Sequence, residues 1–363
     1  MNKKLRIILW IIFIGLIVFA SCSLKPLKSL QNSKSDYSED INSDLIIVGF
    51  SQLGSESDWR TANTKSIQNA LTKENGFSLI FSNGRQSQEN QIKDVRSFIF
   101  QEVDYIVIAP VTETGWDTVL TEAKEAGIPV IIVDRMIDTE DEGLYVAAVG
   151  TDKYEEGMKA GLWLEKYLGE LKAKEKASSN QNAESVETAS EKNDQNTEII
   201  NIVVLEGTLN STAQLGRSKG FEDIAARHEN WRILAREDGD FTKAKGKEVM
   251  AKYLQEFENI DVLVSQNDDM TFGAIEAIQE AGLTCGVSGQ IKIISFDAVA
   301  EAFDKMEQGL INVDIECNPL QGPLIAEIIE RLEKGEEVDK VSYVEEKVFE
   351  AENAAKERIG RSY

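Results

Sequence analysis

Residues 105–133 read YIVIAPVTETGWDTVLTEAKEAGIPVIIV. Two apolar runs, Tyr105-Ile106-Val107-Ile108 and Val130-Ile131-Ile132-Val133, flank a stretch with helical spacing from Trp116 to Ala126. Four apolar residues in a row without alternation predict a strand buried on both faces, and strand, helix, strand in this order predicts a parallel crossover. Toward the N-terminus, Ile46-Ile47-Val48 and Ser78-Leu79-Ile80-Phe81 read as further strands, with helices from Trp59 to Leu71 and from Gln88 to Gln101. The pattern then restarts. A long helix from Asp152 to Leu171 precedes strands at Ile199 to Leu205, Ile233 to Ala235, Val262 to Ser265 and Ile291 to Phe296. Helices at Gly216 to Arg227, Lys243 to Phe257 and Asp269 to Ala281 separate them, and another runs from Asn318 to Lys334. The fold class is α/β: two similar lobes, each a parallel sheet with helices on both faces. In such sheets ligands bind at the carboxyl ends of the strands.

The length of 363 residues suits two lobes that each bury a core, and the 42% hydrophobic content places the chain among globular proteins. A net charge of -24 repels phosphate backbones and excludes nucleic acid as a partner. The N-terminus reads differently. Lys3, Lys4 and Arg6 precede an apolar run from Ile7 to Ala20, short for a membrane span and right for a signal peptide, here residues 1–21. Small residues before Cys22 match a lipoprotein cleavage site, with Phe19 larger than usual there. Lipid on Cys22 then anchors the chain to the membrane from outside, through a flexible tether over 22–45. A second polar stretch, Lys172 to Thr197, has almost no large apolar residue and reads as a disordered insert, its first turns able to continue the preceding helix. Cys285 and Cys317 are left either to pair or to stand as two buried thiols.

Catalytic patterns are missing. The single histidine, His228, lies beside Glu229 and Asn230 near a helix end and reads as a surface residue. No Gly-x-Ser-x-Gly elbow is present. The first strand ends in Gly49-Phe50-Ser51-Gln52 rather than a glycine-rich loop, and Gly246-Lys247 lacks phosphate-loop spacing. The acidic turn from Asp138 to Gly143 lacks the glutamate that a calcium loop needs, because Val149 stands in its place. Neither a cofactor nor a metal is expected, and the chain is not an enzyme.

Polar and aromatic residues instead gather just past strand ends. Glu56, Ser57, Asp58, Trp59 and Arg60 follow the first strand, and Asp134 and Arg135 follow the fourth. In the second unit Asp240-Phe241-Thr242, Asn267-Asp268-Asp269 and Asp297 occupy corresponding places. Carboxylates, amides and guanidinium groups satisfy hydroxyls that both donate and accept, while flat aromatics pack on the C–H faces of a ring. The set suits a monosaccharide. Asp134-Arg135 reads equally as a structural ion pair, Asn267 or Asp268 and Asp297 as helix caps, and Phe241 as core.

Several stretches together carry a family resemblance: Val48 to Gln52 with Gly54 to Ser57 and Trp59-Arg60, Ile108-Ala109-Pro110-Val111 with Thr114-Gly115-Trp116, Asp134-Arg135, Gly239 to Thr242, and Asn267 to Met270. The chain resembles the type I periplasmic binding proteins of sugar importers, and within them the galactofuranose-binding group. The resemblance implies two Rossmann-like lobes joined by a three-crossover hinge, with crossings near Thr151, Asn318 and Val344. The N-terminal lobe is then 46–151 with 318–344, and the C-terminal lobe 152–317 with 345–363. It implies that Glu56 to Arg60, Asp134 and Arg135 line one lobe, that Arg217, Phe241, Asn267 and Asp297 line the other, and that Trp59 and Phe241 sandwich the ring. Asp58 stands where similar proteins have glycine, which would bring a side chain near the sugar, and the parts of Glu316 and Asn318 stay open. The implied protein is a monomer that hands its sugar to an ABC permease. A receptor for a membrane sensor kinase or chemoreceptor is the alternative, whereas a repressor of this fold would need a cytoplasmic helix-turn-helix.

Overall fold

The computed structural model describes residues 45–182, 198–361 and 363. The signal segment, Cys22, the tether and residues 183–197 of the insert lie outside the described residues. Among those described, no helix is long and apolar enough to cross a membrane.

The first unit runs β1 (Ile46–Gln52), α1 (Asp58–Ala70), β2 (Phe77–Asn83), α2 (Gln88–Phe100), β3 (Tyr105–Ile108), α3 (Asp117–Glu125), β4 (Val130–Asp134) and β5 (Ala147–Gly150). The second runs α4 (Lys153–Asn182), β6 (Ile200–Glu206), α5 (Thr212–Ala225), β7 (Trp231–Asp238), α6 (Lys243–Glu256), β8 (Val262–Ser265), α7 (Asp268–Glu280), β9 (Lys292–Asp297), α8 (Ala300–Glu307) and β10 (Val313–Glu316). The chain closes with α9 (Gly322–Glu333), β11 (Val341–Tyr343), β12 (Val348–Glu350) and the single turn α10 (Ala354–Glu357). One sheet has the order β11-β5-β4-β3-β1-β2 and the other β12-β10-β9-β8-β6-β7. Every pairing is parallel except β10 with β12. The chain passes from one sheet to the other between β5 and α4, between β10 and α9, and between β11 and β12.

Both orders reverse direction at their first strand. β1 lies between β2 and β3, and β6 between β7 and β8. Loops leaving neighbouring strands there diverge and open a crevice at the carboxyl ends. Strands β3, β4 and β8 are buried throughout, as their unbroken apolar runs require. Ile67 and Leu71 of the α1 segment pack with Val48, Phe50, Val107 and Ile325 on one face of the first sheet, and Val95, Phe98 and Leu120 pack on the other. α9 belongs with this sheet, since the Gly322 amide donates to Ser66 Oγ on α1 at 3.0 Å.

Two segments differ from the sequence reading. α4 continues through Asn182, so the predicted insert begins as helix rather than as a solvated loop at Lys172. Lys172 to Ala177 is made only of strong helix formers, which extend a helix already nucleated by packing. The short strands β5, β10, β11 and β12 carry no signal in the sequence reading, whereas α8 begins where a helix is expected from Val299. Cys285 and Cys317 are separate buried thiols. His228 is half-buried and stacks on Trp231, ring centroids 4.2 Å apart, rather than lying open to solvent.

Candidate ligand-binding site

The turn after β1 leads into α1, whose N-cap is Ser57: its hydroxyl accepts from the Arg60 amide at 3.1 Å. That cap fixes the first turn, so Trp59, Arg60 and Asn63 form its buried face. Arg60 donates through Nε to Glu56 Oε1 at 3.0 Å and through Nη2 to Asp134 Oδ2 at 2.7 Å. Asp134 ends β4 with φ of 65°, a left-handed conformation rare for a non-glycine residue and held by these ion pairs. Arg135 follows, and its Nη1 donates to the Val111 carbonyl at 2.8 Å. Lys153, the first residue of α4, lies 3.3 Å from Asp134 Oδ1, 3.4 Å from Glu156 Oε1 and 2.9 Å from Cys317 Sγ.

The second sheet contributes a similar set. Arg217 on α5 pairs with Glu156 at 2.6 Å and Asp297 at 3.3 Å, and also donates to the Gln266 carbonyl. Asn267 caps α7 by accepting from the Met270 amide at 3.0 Å, and its Nδ2 donates to the Phe241 carbonyl at 3.2 Å. Phe241 sits after β7 with φ of 55°. The guanidinium of Arg135, from the first unit, lies 5.4 Å from the centre of its ring. The Trp59 indole N–H donates to the Cys317 carbonyl.

These groups face one another across a single cleft. Glu56, Ser57, Trp59, Arg60, Asp134 and Arg135 line it from the first unit, and Arg217, Phe241, Asn267 and Asp297 from the second. Lys153, Ala213 and Cys317 complete the lining. Those three were missed. The sequence offers Cys317 as a disulfide partner or a buried thiol but not as a lining residue, and Lys153 carries no motif, its one signal being its place two residues past the expected crossing at Thr151. Asp58 is the exception among the expected residues. As the first residue of α1 it is exposed on the outer face, and its amide donates to Asp269 Oδ2 at 3.2 Å. Its side chain is therefore not part of the lining. Glu316 and Asn318 are also outside it. Glu316 accepts from Arg361 at 3.0 Å and from the Tyr363 hydroxyl at 2.8 Å, and Asn318 Oδ1 accepts from the Leu320 amide at 2.9 Å.

Arg60, Arg135, Lys153 and Arg217 of the lining stand against Glu56, Asp134 and Asp297, and Glu156 behind them pairs with Lys153 and Arg217. Burial opposes a charge on Asp134, but Arg60, Lys153 and Arg135 outweigh it and hold the carboxyl well below its ordinary range. Burial and the neighbouring Arg60 bring Arg135 down to about 10, so it remains charged at neutral pH. Burial pushes Asp297 up, against the pull of Arg217. Glu156, Cys317 and Glu346 hold possible metal-ligand atoms within 4.8 Å of one another. Lys153 and Arg217 already sit against this trio, so its positive charge is supplied by the protein itself. Three buried polar atoms of lining residues lack a partner: the acceptor Glu56 Oε2 and the donors Arg60 Nη1 and Arg135 Nε. Leaving such atoms without a hydrogen bond costs about 1–3 kcal/mol each, so they call for a ligand that both donates and accepts.

A family model described as the periplasmic binding protein domain matches residues 48–337. The chain belongs to the periplasmic binding protein family. It is accordingly a substrate-binding protein and not an enzyme, and the two-sheet architecture with its three crossings is the type I form of that fold. The galactofuranose-binding protein YtfQ of Escherichia coli is 36% identical over 316 residues, 86% of this chain and 90% of that protein. The periplasmic binding protein of the arabinose ABC transporter from Shewanella sp. ANA-3, solved with α- and β-L-arabinofuranose, is 39% identical with a TM-score of 0.76, over 87% of this chain and 95% of that one. A Mycobacterium smegmatis protein solved with β-D-fucofuranose is 39% identical with a TM-score of 0.75, over 86% of this chain and 93% of that one.

Proposed function

We propose that this protein binds one neutral aldose in its furanose form, galactofuranose foremost, and delivers it to the permease of an ABC importer. The observation that carries the reading is the cavity wall: Trp59 and Phe241 together with paired charges that leave one acceptor and two donors unused. Aromatic rings suit the C–H faces of a sugar, and the unused polar atoms suit its hydroxyl edge. Arg60, Lys153 and Arg217 of the wall are already paired, with Glu56, Asp134 and Asp297 in the wall and Glu156 behind it, which favours a neutral sugar over a uronate or a sugar phosphate. The furanose assignment draws on the sugars named for the three relatives above. The apolar run ending at Cys22 supports export and a lipid anchor, which would hold the binding protein at the outer face of the membrane as a monomer.

Thermal shift across a panel of neutral and charged monosaccharides tests this. Binding to the folded state alone raises the melting temperature with affinity and concentration. L-Arabinose and D-galactose, which populate furanose forms in solution, should raise it saturably, while galacturonate and galactose 6-phosphate should not. A panel with no saturable shift would remove the reading.

A further inference from the structure

Asp297 enters the cleft from a turn that no glycine relieves. Asp297 and the next residue, Ala298, have φ of 108° and 59°, two consecutive non-glycine residues in the left-handed half of the map. Strain of this kind persists only where the surroundings enforce it. Two carboxyl groups do so here. The Ala298 amide donates to Asp314 Oδ1 at 3.1 Å, and the Val299 amide donates to Asp268 Oδ2 at 2.8 Å. Ser295 Oγ donates to Asp268 Oδ1 at 2.6 Å and is itself paired with Thr271 Oγ1 at 2.7 Å. Asp268 opens α7 directly after Asn267, and Asp314 lies on β10, so the turn is gripped from two elements. Both carboxyl groups are fully buried. Asp314 Oδ2 has no hydrogen-bond partner, and Asp314 stands opposite Ser295 in the β9–β10 register, beside the hydroxyl that Asp268 accepts. Two like charges buried side by side repel, and a proton on Asp268 would give the orphan oxygen of Asp314 its donor.

We propose that Asp268 and Asp314 are positioning residues: joined by a carboxyl–carboxylate hydrogen bond, they clamp the turn at Ala298 and Val299 and so set the direction in which Asp297 enters the cleft. Neither touches the cavity. The proposal rests on the reading of that cavity as the sugar site. The charged groups facing the pair are few. Asp297 on β9 opposes a charge on Asp314, Arg361 of the C-terminal segment favours one, and Arg217 acts through its pairing with Asp297. Burial pushes Asp268 well up and Asp314 to about 7, so the native protein holds a proton that the unfolded chain releases. A raised carboxyl makes its contribution in acid and loses it as the pH climbs through the native titration. Loss of the proton sets two like charges face to face and loosens the turn.

The test is the pH dependence of the full-length protein and of Asp314→Asn. The new amide still accepts from Ala298 and donates to Asp268 without any proton to lose. For the wild type, the melting temperature without ligand should fall as the pH climbs from the ordinary carboxylate range, about 4, to about 7, and affinity for L-arabinose by calorimetry should weaken about fivefold or more from about pH 6 to about pH 8. Asp314→Asn should flatten both profiles while keeping affinity within about threefold of the wild type at the lower pH. A purely architectural carboxylate would instead give a variant that is weaker at every pH with an unchanged slope, and that result, or a flat wild-type profile, overturns the proposal. Should Asp314→Asn not fold, Asp268→Asn removes the same proton from the other side. Asp269, the next residue of α7, is also pushed up to about 7 by burial, so every profile is read in an Asp269→Asn background, and should neither variant fold, the ligand-free slope of that background decides. Absence of L-arabinose binding at any pH would count against the sugar assignment, whereas the ligand-free melting profiles judge the clamp independently.

Discussion

Trp59 is held on two sides. Its indole N–H is spent on the Cys317 carbonyl, and the Arg60 guanidinium lies 4.7 Å from its ring centre. The ring is thereby fixed before any ligand arrives, which lowers the entropy that binding must give up. Trp59→Ala should weaken sugar binding by about 2 kcal/mol or more, roughly thirtyfold in Kd by fluorescence or calorimetric titration. Unchanged affinity would remove Trp59 from the site. Asp134 makes the complementary case in stability. Asp134→Asn leaves Arg60 and Lys153 short of a counter-charge in a buried place, a loss of about 3–5 kcal/mol read from denaturant unfolding at neutral pH. The sign with pH follows from its lowered pKa: its contribution is present above the ordinary carboxylate range and is lost as acid drives the pH below about 4. The variant should therefore show a shallower acid limb than the wild type. At this scale the sequence was partly legible. Arg60 and Asp134 could be read from their strand-end positions, yet nothing in spacing separated an ion pair from a ligand contact, and the structure makes Asp134 an ion-pair partner that also lines the cavity. Phe241 was reached only through family resemblance. Asp58 went astray because neighbours in a strand-end loop were treated alike, whereas the α1 cap turns Asp58 outward and Trp59 inward.

Elements meet closely where side chains vanish. Residues on α4 and α5 approach so tightly that a Cβ on Gly220 would lie 2.1 Å from the Tyr154 carbonyl, and one on Gly157 2.3 Å from the Arg217 carbonyl. Gly157→Ala should separate the two helices next to the Glu156–Arg217 pair, costing about 1–3 kcal/mol of stability by overpacking, which denaturant unfolding would measure. Gly207, just past β6, serves the cleft instead. A Cβ there would stand 1.8 Å from Cζ of Phe241. Gly207→Ala should push that ring out of place and weaken sugar binding with a smaller effect on melting, and retention of full affinity would show that the ring carries no part of recognition. The strands with β-branched runs, β3, β4 and β8, were readable within a residue or two because burial on both faces leaves an unbroken apolar signature. β5 is Ala-Ala-Val-Gly, and β11 and β12 are three residues each, so neither composition nor length announced them. They exist because a neighbouring strand offers them hydrogen bonds. The outer turns of α4 were misread for the opposite reason: polarity was taken for disorder, while alanine, lysine and glutamate sustain a helix on propensity alone.

Across the whole described molecule, function depends on two sheets that share three crossings and close on one cavity. Two hydrogen bonds bridge the cleft rim. The Met136 amide donates to Thr212 Oγ1 at 2.8 Å, and the Asp58 amide to Asp269 Oδ2 at 3.2 Å. Deeper in the cleft the buried Asp134–Lys153 pair and the Trp59 indole on the Cys317 carbonyl join the same two sides, and a sugar touching both adds to contacts that hold the closed form. The two-lobe plan was legible from the restart of the strand–helix pattern. The crossings were not legible from periodicity, because they are set by which sheet edge accepts a returning strand. A crystal structure of the protein grown with D-galactose, which offers both ring forms at once, tests the central claim most directly. The account predicts a single five-membered ring between Trp59 and Phe241, with hydroxyls on Glu56 Oε2, Arg60 Nη1 and Arg135 Nε. A six-membered ring in that place, or a sugar bound away from it, would contradict the account.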